Sequence, residues 1–585
     1  ALGKGRTAAL ADPTNKHTIE NLSLTLSNSL QLKLHKDLTF DASYNINNYR
    51  RLYKDRTAAN IYSDAVGVTK TTTHYQKDTY RERPYEYTYH NVDAYFTYEH
   101  SWNKEHNFKA VAGMNYEKYR LVDNIVEQFG LGSDQIDSFN SVNDDTYWLV
   151  QQDISAYKTL GFFARINYDY KGKYLFEASM RADGTSRFAK KDRWGYFPSV
   201  SAGWTISNEP FMRDIDPKSL SFLKLRASYG INGNIRTLSG FPYLSSMNVG
   251  EYYPMNGQLI TTIYPSDVLA NKDLKWETAR QVDVGVDARF LNNRLTFGMD
   301  FYNKNTVDQL VILTPPLSTG TTSMAKNVGK VNNHGFEFEL GWQDQAGEFS
   351  YGVNANLATI NSEVKKLEGP RILDGIVAFD KGQPMWSYYG WKYLGVDKED
   401  GSAIYYDKDD NGTIDDKDKV YLGSAIPDFT YGITLNAAYK GFDLTVFGSG
   451  SHGGLLSLYG ARLTPSANKP SELWTDSWDV KGAGAKYPHP DPIGDTASRN
   501  SSMWLKSGSY FKIKQIQLGY TLPSSFTKKI AISRLRVYVS LDNFFCITPY
   551  WGMDPEAVSG TSGIGMDYGD YPTPKTLTFG ANLSF

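Results

Sequence analysis

The stretch that decides the fold reads Gln281-Val-Asp-Val-Gly-Val-Asp-Ala-Arg-Phe290. Every even position in it is apolar and every odd position is polar or glycine, which is the period of two that a β-strand requires. Residues 295–301 repeat the pattern, and Asn292-Asn293 between the two segments is typical of a tight turn. Together the two segments predict an antiparallel hairpin.

Similar alternation recurs along the whole chain, and no comparable helical stretch is found. The clearest further examples are residues 40–46, 164–170, 336–342, 433–439 and 535–541. One segment departs from the pattern, because the apolar phase changes between Ile513 and Ile516. This change predicts either a β-bulge or a misread strand.

Composition excludes several classes of protein. The 585 residues hold 62 Lys+Arg and 64 Asp+Glu, a net charge of −2 that offers no global attraction for nucleic acid. A single cysteine, Cys546, excludes an intramolecular disulfide and a cysteine-rich zinc site. No apolar run approaches the ~20 residues that a membrane helix needs, so a helical membrane protein is excluded and a β-barrel is not.

The lengths of strands and connections favour a membrane barrel over a soluble β-sandwich. Many alternating segments reach about 10 to 15 residues, close to what a tilted strand needs to cross a bilayer. Short connections alternate with long polar ones, as in outer-membrane barrels. The short connections fall around Lys36, Lys171–Lys173, Asn292–Asn293, Gly347 and Lys440–Gly441, and the long ones cover roughly 51–83, 121–156, 232–275, 362–424, 451–506 and 546–574.

The last ten residues, Thr576 to Phe585, alternate without a break and end on an aromatic side chain. We expect the apolar positions from Leu577 to Phe585 to face lipid and Thr576, Thr578, Asn582 and Ser584 to face a lumen. A terminal phenylalanine on such a strand resembles the signal by which barrels are recognised for membrane assembly. The alternative is a chain that merely ends in a strand.

Several longer motifs carry a family resemblance. They are Gly161–Tyr168, Lys173–Ser179, Arg181–Phe188, Trp194–Trp204, Ser207–Phe211, Leu225–Asn234, Trp276–Glu277, Asn327–Glu337 and Leu541–Phe544. In this order they resemble the barrel of the SusC-like TonB-dependent transporters, the outer-membrane nutrient importers of Bacteroidetes. The resemblance extends from about residue 20 to the end of the chain.

The resemblance implies an all-β fold, a transmembrane antiparallel β-barrel of 22 strands with an internal plug domain and a SusD-like surface lipoprotein. About 17 strands are found by pattern, so we expect about five strands and the plug to lie outside this chain, either in further sequence of the same protein or in a separate chain. Residues 1–19 are interpreted as a leading segment or loop and residues 20–585 as barrel. The expected location is the outer membrane, among lipid.

One motif has a metal-binding mechanism of its own, in the predicted extracellular loop 362–424. Oxygen-bearing residues occupy the ligand positions of an EF-hand-like calcium loop around Gly412. The candidate ligands are Asp407, Asp409, Asn411, Thr413 through its carbonyl, Asp415 directly or through water, and Asp418. The last position is Asp instead of Glu, which weakens bidentate coordination and could admit Mg²⁺ or water. We expect a structural Ca²⁺; the alternative is an acidic surface turn without an ion.

Enzyme motifs and organic-cofactor motifs are not found, so no catalytic residue is predicted. Five loop aromatics could stack on cargo or pack within loops: Trp474, Trp478, Trp504, Tyr550 and Trp551. The resemblance implies TonB-driven import of an oligosaccharide or peptide, with force acting on the plug. The alternatives are a surface receptor or scaffold of a larger assembly without active transport, and a soluble β-sandwich enzyme.

Overall fold

The computed structural model describes most of the chain. The described residues are 15–57, 61–65, 68–71, 79–130, 136–139, 148–235, 238, 240–255, 257–458, 471–489, 500–527, 532–557, 564–569 and 571–585. The predicted leading segment, residues 1–19, therefore lies largely outside the described residues. Within it, no helix combines the length and the apolar character needed to span a membrane.

One large antiparallel sheet of 18 strands dominates the molecule. With the described strands numbered β1 to β30 along the chain, its members are β1 (Lys16–His35), β2 (Leu38–Thr57), β5 (Thr79–Trp102), β6 (His106–Phe129), β7 (Trp148–Tyr170), β8 (Tyr174–Thr185), β9 (Trp194–Thr205), β10 (Phe222–Asn234), β13 (Glu277–Phe290), β14 (Leu295–Leu313), β15 (Met324–Ala346), β16 (Phe349–Thr359), β17 (Asn361–Leu367), β24 (Phe429–Tyr439), β25 (Phe442–His452), β28 (Tyr510–Thr521), β29 (Arg534–Ile547) and β30 (Thr576–Ser584). The all-β class predicted from alternation is confirmed.

Each strand of the sheet pairs with the next member of the sheet along the chain, except around β16 and β17. β16 and β17 both pair with β15 and are separated by Ile360 alone, so they form one interrupted crossing and the sheet makes 17 crossings in all. The pattern count was about the same. β1 pairs with β2 and β30 with β29 at the two edges, and the sheet is not closed within the described residues. Every residue of β1 is exposed.

The register places apolar and polar side chains on opposite faces. In the quoted hairpin, Val284 lies opposite Phe301 and Asp283 opposite Tyr302. The apolar face is the exposed one, since Val284 is 52% exposed and Leu340 on β15 is 51% exposed. Apolar side chains that point away from the barrel axis meet lipid, so the alternation has the polarity of a membrane barrel and the opposite polarity to a soluble sandwich.

Aromatic side chains mark the end of the lipid-facing band on the side with short turns. Rings on β5 and β6 contact one another there, with Trp102 and Phe108 6.2 Å apart. Across β7, β8 and β9, Tyr174 stacks on both Tyr170 and Trp204, at 6.3 and 6.4 Å. Such rings are enriched at membrane interfaces, and this row defines the periplasmic one.

Several strands continue far beyond the bilayer on the side with long connections. The loops expected over 51–83 and 121–156 are shorter than predicted, because β2 continues to Thr57, β6 to Phe129, and β7 already begins at Trp148. Above the membrane the outer face meets water, so it no longer needs apolar residues at alternate positions. The periodic signal therefore disappears while the hydrogen-bonded ladder continues.

The predicted phase change in β28 is a β-bulge. The register shifts between Ile513 and Gln515 against β29, and between Phe447 and Gly448 of the other neighbour, β25. Relative to β25, Lys514 is the extra residue, whereas on the other side two residues of β29, Asn543 and Phe544, lie opposite it. The bulge lets the strand keep its apolar face outward on both sides of the irregularity.

The long connections carry small sheets and short helical segments. The small strands are β3 (Ile61–Ala65), β4 (Val68–Thr71), β11 (Met247–Met255), β12 (Gln258–Pro265), β18 (Ile372–Asp374), β19 (Val377–Phe379), β20 (Ser387–Gly390), β21 (Tyr393–Val396), β22 (Ala403–Tyr405), β23 (Val420–Ser424), β26 (Leu455–Ser457) and β27 (Leu505–Ser507). The α-helices are α1 (Ser471–Thr475), α2 (Trp478–Lys481) and α3 (Ser524–Thr527), and the 3₁₀ turns are Lys190–Asp192, Ile206–Asn208, Pro210–Met212, Leu317–Thr319, Asp416–Asp418, Gly482–Gly484 and Ser502–Trp504.

Candidate functional site

The inner wall of the sheet is polar and internally paired. Arg226 on β10 donates to Asp287 through two nitrogens, at 2.7 and 2.9 Å, and to Asp300 at 3.0 Å. Asp283 accepts from Ser228 at 3.3 Å. These carboxylates therefore have hydrogen-bonding partners on the inner wall itself. The same wall, from β5 to β14, bounds a cavity of about 780 Å³.

Four tyrosines form a row across four neighbouring strands of this inner face. Tyr49 stacks on Tyr87 at 5.2 Å, Tyr87 contacts Tyr119 at 5.7 Å, and Tyr119 stacks on Tyr157 at 5.2 Å. Their odd positions place them on the same face as the inward-pointing polar residues of β2, β5, β6 and β7. Half-exposed rings on a lumen wall offer apolar surface for sugars or peptide side chains.

Guanidinium groups close the two ends of the tyrosine row. The Arg51 guanidinium lies 5.2 Å from the ring centre of Tyr49, and that of Arg187 lies 4.3 Å from the ring centre of Tyr157. Arg187 is fixed by donating to the carbonyl of Leu238 at 3.1 Å. The inner face thus combines rings and cations, which suits ligands that carry both apolar surface and anionic or hydroxyl groups.

Three extracellular connections pack together around Tyr388. This side chain is fully buried, and its hydroxyl lies 3.0 Å from the carbonyl of Leu455 and 2.8 Å from that of Gly565. Ile376, also fully buried, and Met566 belong to the same apolar cluster. The connections β17–β24, β25–β28 and β29–β30 therefore share one core instead of projecting separately into water.

A buried ion pair anchors the last of these connections to the inner wall. Lys512 on β28 lies 2.8 Å from Asp554 and 3.1 Å from Glu556, and the Lys512 and Asp554 side chains are only 3% and 6% exposed. Burial alone would raise the pKa of Asp554, but the Lys512 ammonium and donation from Thr573 outweigh it and lower that pKa to about 2. Asp554 is therefore ionised at neutral pH and holds the connection inside the mouth.

The structure brings together three of the six predicted metal ligands. Carboxylate oxygens of Asp407, Asp409 and Asp418 lie within 4.8 Å of one another, with Asp418 buried and Asp409 exposed. Asn411 and Thr413 lie in the same turn. Asp415 does not join this group of carboxylates, because its side chain accepts from the backbone of Lys417 and caps the 3₁₀ turn that follows.

Hydrogen bonds within the turn orient these carboxylates. Asp407 accepts from the backbone nitrogens of Asn411 at 3.3 Å and Gly412 at 2.7 Å, and Gly412 has a φ of 77°, the left-handed conformation that glycine favours. Asp418 accepts from Asp415 and Lys408, and these backbone donors lower its pKa. Oriented carboxylate oxygens at this spacing fit a hard cation such as Ca²⁺.

The sequence as a whole has clear relatives. The family described as "TonB dependent receptor-like, beta-barrel" matches residues 3–544. The chain belongs to this family. It is accordingly an outer-membrane β-barrel protein of a family of receptors and transporters, not of enzymes, as the resemblance implied.

Two curated relatives illustrate the match. TonB-dependent receptor P3 of Formosa agariphila is 29% identical over 529 residues, which cover 84% of this chain and 52% of that protein. TonB-dependent receptor SusC of Bacteroides thetaiotaomicron is 32% identical over 461 residues, covering 74% of this chain and 44% of SusC. The chain thus spans about half the length of the curated relatives it matches.

Solved structures show the same fold. The RagAB peptide transporter superposes with a TM-score of 0.83 at 24% identity, over 98% of this chain and 63% of that one. Its open-open state gives a TM-score of 0.84, also at 24% identity, over 98% of this chain and 62% of that one. At this identity the likeness concerns the fold alone.

The aromatics singled out in the loops of this barrel have different environments. Trp504 and Tyr550 are buried, at 3% and 5% exposure, and Tyr550 donates to Asp567 in the loop core. Trp551 stacks on Tyr487 at 6.0 Å and is contacted by Lys506. Three of the five thus take part in loop packing.

Trp474 is the exposed member of that set, at 48% exposure. Trp478 is half-buried and packs edge to face against His489 at 5.8 Å. The tyrosine row was missed because most of it lies in or beside segments read as loops. Its signal is Tyr85, Tyr87 and Tyr89 at alternate positions of β5.

Proposed function

We propose that this chain forms the barrel wall of a SusC-like TonB-dependent transporter that imports oligosaccharides or peptides across the outer membrane. The observation that carries the proposal is the continuous antiparallel sheet, which is apolar outside and polar inside and bears a row of stacked tyrosines on its inner face. A wall of this kind suits passage of a polar solute with apolar patches.

The proposed partners are a SusD-like surface lipoprotein over the mouth, a plug domain inside the barrel and the TonB complex acting on that plug. The shared core around Tyr388 supports a role for the loops in docking, because a packed loop surface binds a partner with less loss of conformational freedom than separate loops do. Opening of the lid and removal of the plug are the proposed conformational steps, with the sheet as the rigid frame.

Uptake by cells tests the proposal. Cells that express the full-length protein and its neighbouring lipoprotein should accumulate labelled oligosaccharide or peptide, and accumulation should cease when TonB is deleted. The tyrosine row is tested by a barrel with Tyr87→Ala and Tyr119→Ala, which we expect to assemble in the membrane but to import more slowly. Binding without TonB-dependent accumulation would favour the surface receptor or scaffold and refute import.

We further propose that residues 407–418 hold a structural Ca²⁺ between Asp407, Asp409 and Asp418, with oxygens of Asn411 and Thr413 completing the shell. The ion would order the connection between β22 and β23 and take no part in transport. Calcium should slow proteolysis within this turn in the full-length protein, and Asp409→Asn should abolish the effect. Asp410→Asn, which alters a neighbouring exposed carboxylate, is the control; equal proteolysis with chelator and with calcium would refute the site.

A further inference from the structure

A group of basic side chains lies on the outer wall of the sheet, on adjacent strands. Lys118 and Arg120 occupy β6 and Lys158 occupies β7, and all three are exposed. We call these three residues the outer basic patch. Even positions of β6 and β7 carry the lipid-facing residues, for example Met114 and Phe162, which lie directly opposite each other. The patch therefore points away from the lumen, toward the membrane surface.

Within the described part of the chain, the positive charge of the patch has no neutralising partner. Lys118 lies directly opposite Lys158 in the β6–β7 register and opposite His90 in the β5–β6 register. Like charges directly opposite each other on one face of a sheet are destabilising. Among the described residues, no carboxylate lies within 4.0 Å of the charged nitrogens of the three patch residues. Glu117 and Asp153, on the same strands, occupy odd positions and face the lumen.

Other basic residues on this part of the outer wall do have carboxylate partners. Lys54 lies 2.7 Å from Glu20, and Arg50 lies 3.7 Å from Glu86, the outward-facing acid nearest to the patch in the register. Ion pairing is thus the local rule and the patch is the exception. Uncompensated, closely spaced cations on a folded surface indicate an anionic partner.

The height of the patch on the barrel identifies the kind of anion. Tyr44 stacks on His90 at 6.1 Å, and Phe162 stacks on Trp194 at 6.1 Å. Tyr44, Phe162 and Trp194 are exposed on the outer face, and these ring pairs mark the upper end of the apolar band. The patch begins immediately beyond it on the extracellular side, the level at which headgroups of the outer leaflet lie.

We propose that the outer basic patch binds the phosphate of an outer-leaflet lipid whose acyl chains pack against the apolar band below. A lipid satisfies both surfaces at once: its phosphate separates Lys118 from Lys158, and its chains cover Phe162 and Ile166, which are 49% and 45% exposed. A soluble anion would neutralise the charge but leave the apolar strip bare. The inference requires only the orientation of the sheet and is independent of import.

The test uses the full-length protein in detergent and fluorescent phosphatidic acid, with phosphatidylcholine as the zwitterionic comparison. We expect a clear preference for phosphatidic acid, and Lys118→Gln with Lys158→Gln should weaken it about 30-fold, since each basic side chain near a lipid surface contributes roughly fivefold. The control variant, Arg50→Gln with Lys54→Gln, removes the same charge from paired positions and should retain the preference.

Three results would overturn the proposal. The first is equal affinity of the unaltered protein for the two lipids, and the second is equal weakening by the patch and control variants. The third is displacement of phosphatidic acid by inorganic phosphate at the same concentration as by unlabelled phosphatidic acid, which would assign the patch to a free anion. Lys118→Arg with Lys158→Arg should restore the preference if charge at this height is what the lipid recognises.

Discussion

Replacement of Lys512 by methionine should release the β29–β30 connection from the mouth of the barrel. The substitution keeps the length of an apolar stem but removes the ammonium that lies 2.8 Å from Asp554. Asp554 is 6% exposed and is left as an uncompensated buried carboxylate. Glu556 is 25% exposed and retains Lys514, so it is affected less.

The magnitude follows from two observations. Lowering the pKa of Asp554 from 3.8 to about 2 corresponds to roughly 2 kcal/mol of stabilisation of its ionised form. Removal of one partner of a buried pair costs about 3–5 kcal/mol, because the other charge stays buried. We therefore expect the free energy of opening this connection to fall by about 3 kcal/mol, which increases its open population on the order of 100-fold.

Hydrogen exchange of the full-length protein in detergent measures this opening over peptides covering 548–557 and 564–569. Exchange at pH 7 should accelerate on the order of 100-fold in Lys512→Met. It should stay unchanged in Lys440→Met, whose ammonium lies 3.5 Å from Glu348 and whose side chain is 60% exposed. Adding Asp554→Asn to Lys512→Met should recover part of the protection. Unchanged exchange in Lys512→Met would refute the reasoning.

The same pair predicts a pH dependence. A depressed carboxyl pKa contributes stability that is present above the unfolded value near 3.8 and is lost as the pH falls through about 2. Protection of residues 548–557 should therefore hold at pH 5 and decline between about pH 4 and pH 2. Protection that instead increases on acidification would contradict the assignment of an ionised Asp554.

Three other perturbations test the fold and the loops. Tyr388→Phe should lower the stability of the loop core by about 1–3 kcal/mol, measured by limited proteolysis in urea, because the carbonyls of Leu455 and Gly565 lose their buried donor. Asp418→Ala should increase proteolysis at residues 407–418 even without calcium, because two backbone donors lose their acceptor, whereas Asp409→Asn should do so only with calcium present. Gly335→Ala should reduce the yield of heat-modifiable folded barrel on gels, because its Cβ would lie 2.1 Å from the backbone oxygen of Thr359; Gly347→Ala, which meets nothing within 4 Å but has a φ of 62°, should cost only the strain of that turn.

The sheet could be predicted from the sequence wherever lipid imposes a pattern. Residues 281–290 read as a strand because one face must be apolar along the whole bilayer, and β13 covers this segment. The turn at Asn292-Asn293 was equally predictable, because asparagine tolerates the positive φ that both residues adopt there. The bulge at Lys514 was also detectable in the sequence, because an inserted residue shifts the alternation of apolar and polar positions.

The extracellular half of the sheet and its loops could not be predicted from apolar alternation. At Arg50 and Glu86 the outer face of the sheet is charged, so strands that extend above the membrane resemble polar loops. The loop core depends on contacts between distant segments, such as Tyr388 with Gly565, which no local period encodes. The spacing of the carboxylates in the turn at 407–418 was predictable, whereas the capping role of Asp415 depends on the 3₁₀ turn that follows it.

The two sides of the mouth differ in stiffness. β5 and β6 run for 24 residues each, about 80 Å along the strand at 3.3 Å per residue, whereas β24 and β25 have 11 residues each and continue as loops. Almost every residue of the long strands is tied to its neighbours by the ladder, while the loops depend on a few side-chain contacts. If the mouth widens, the loops that follow β24 and β25 will therefore move, while the long strands β5 and β6 stay in place.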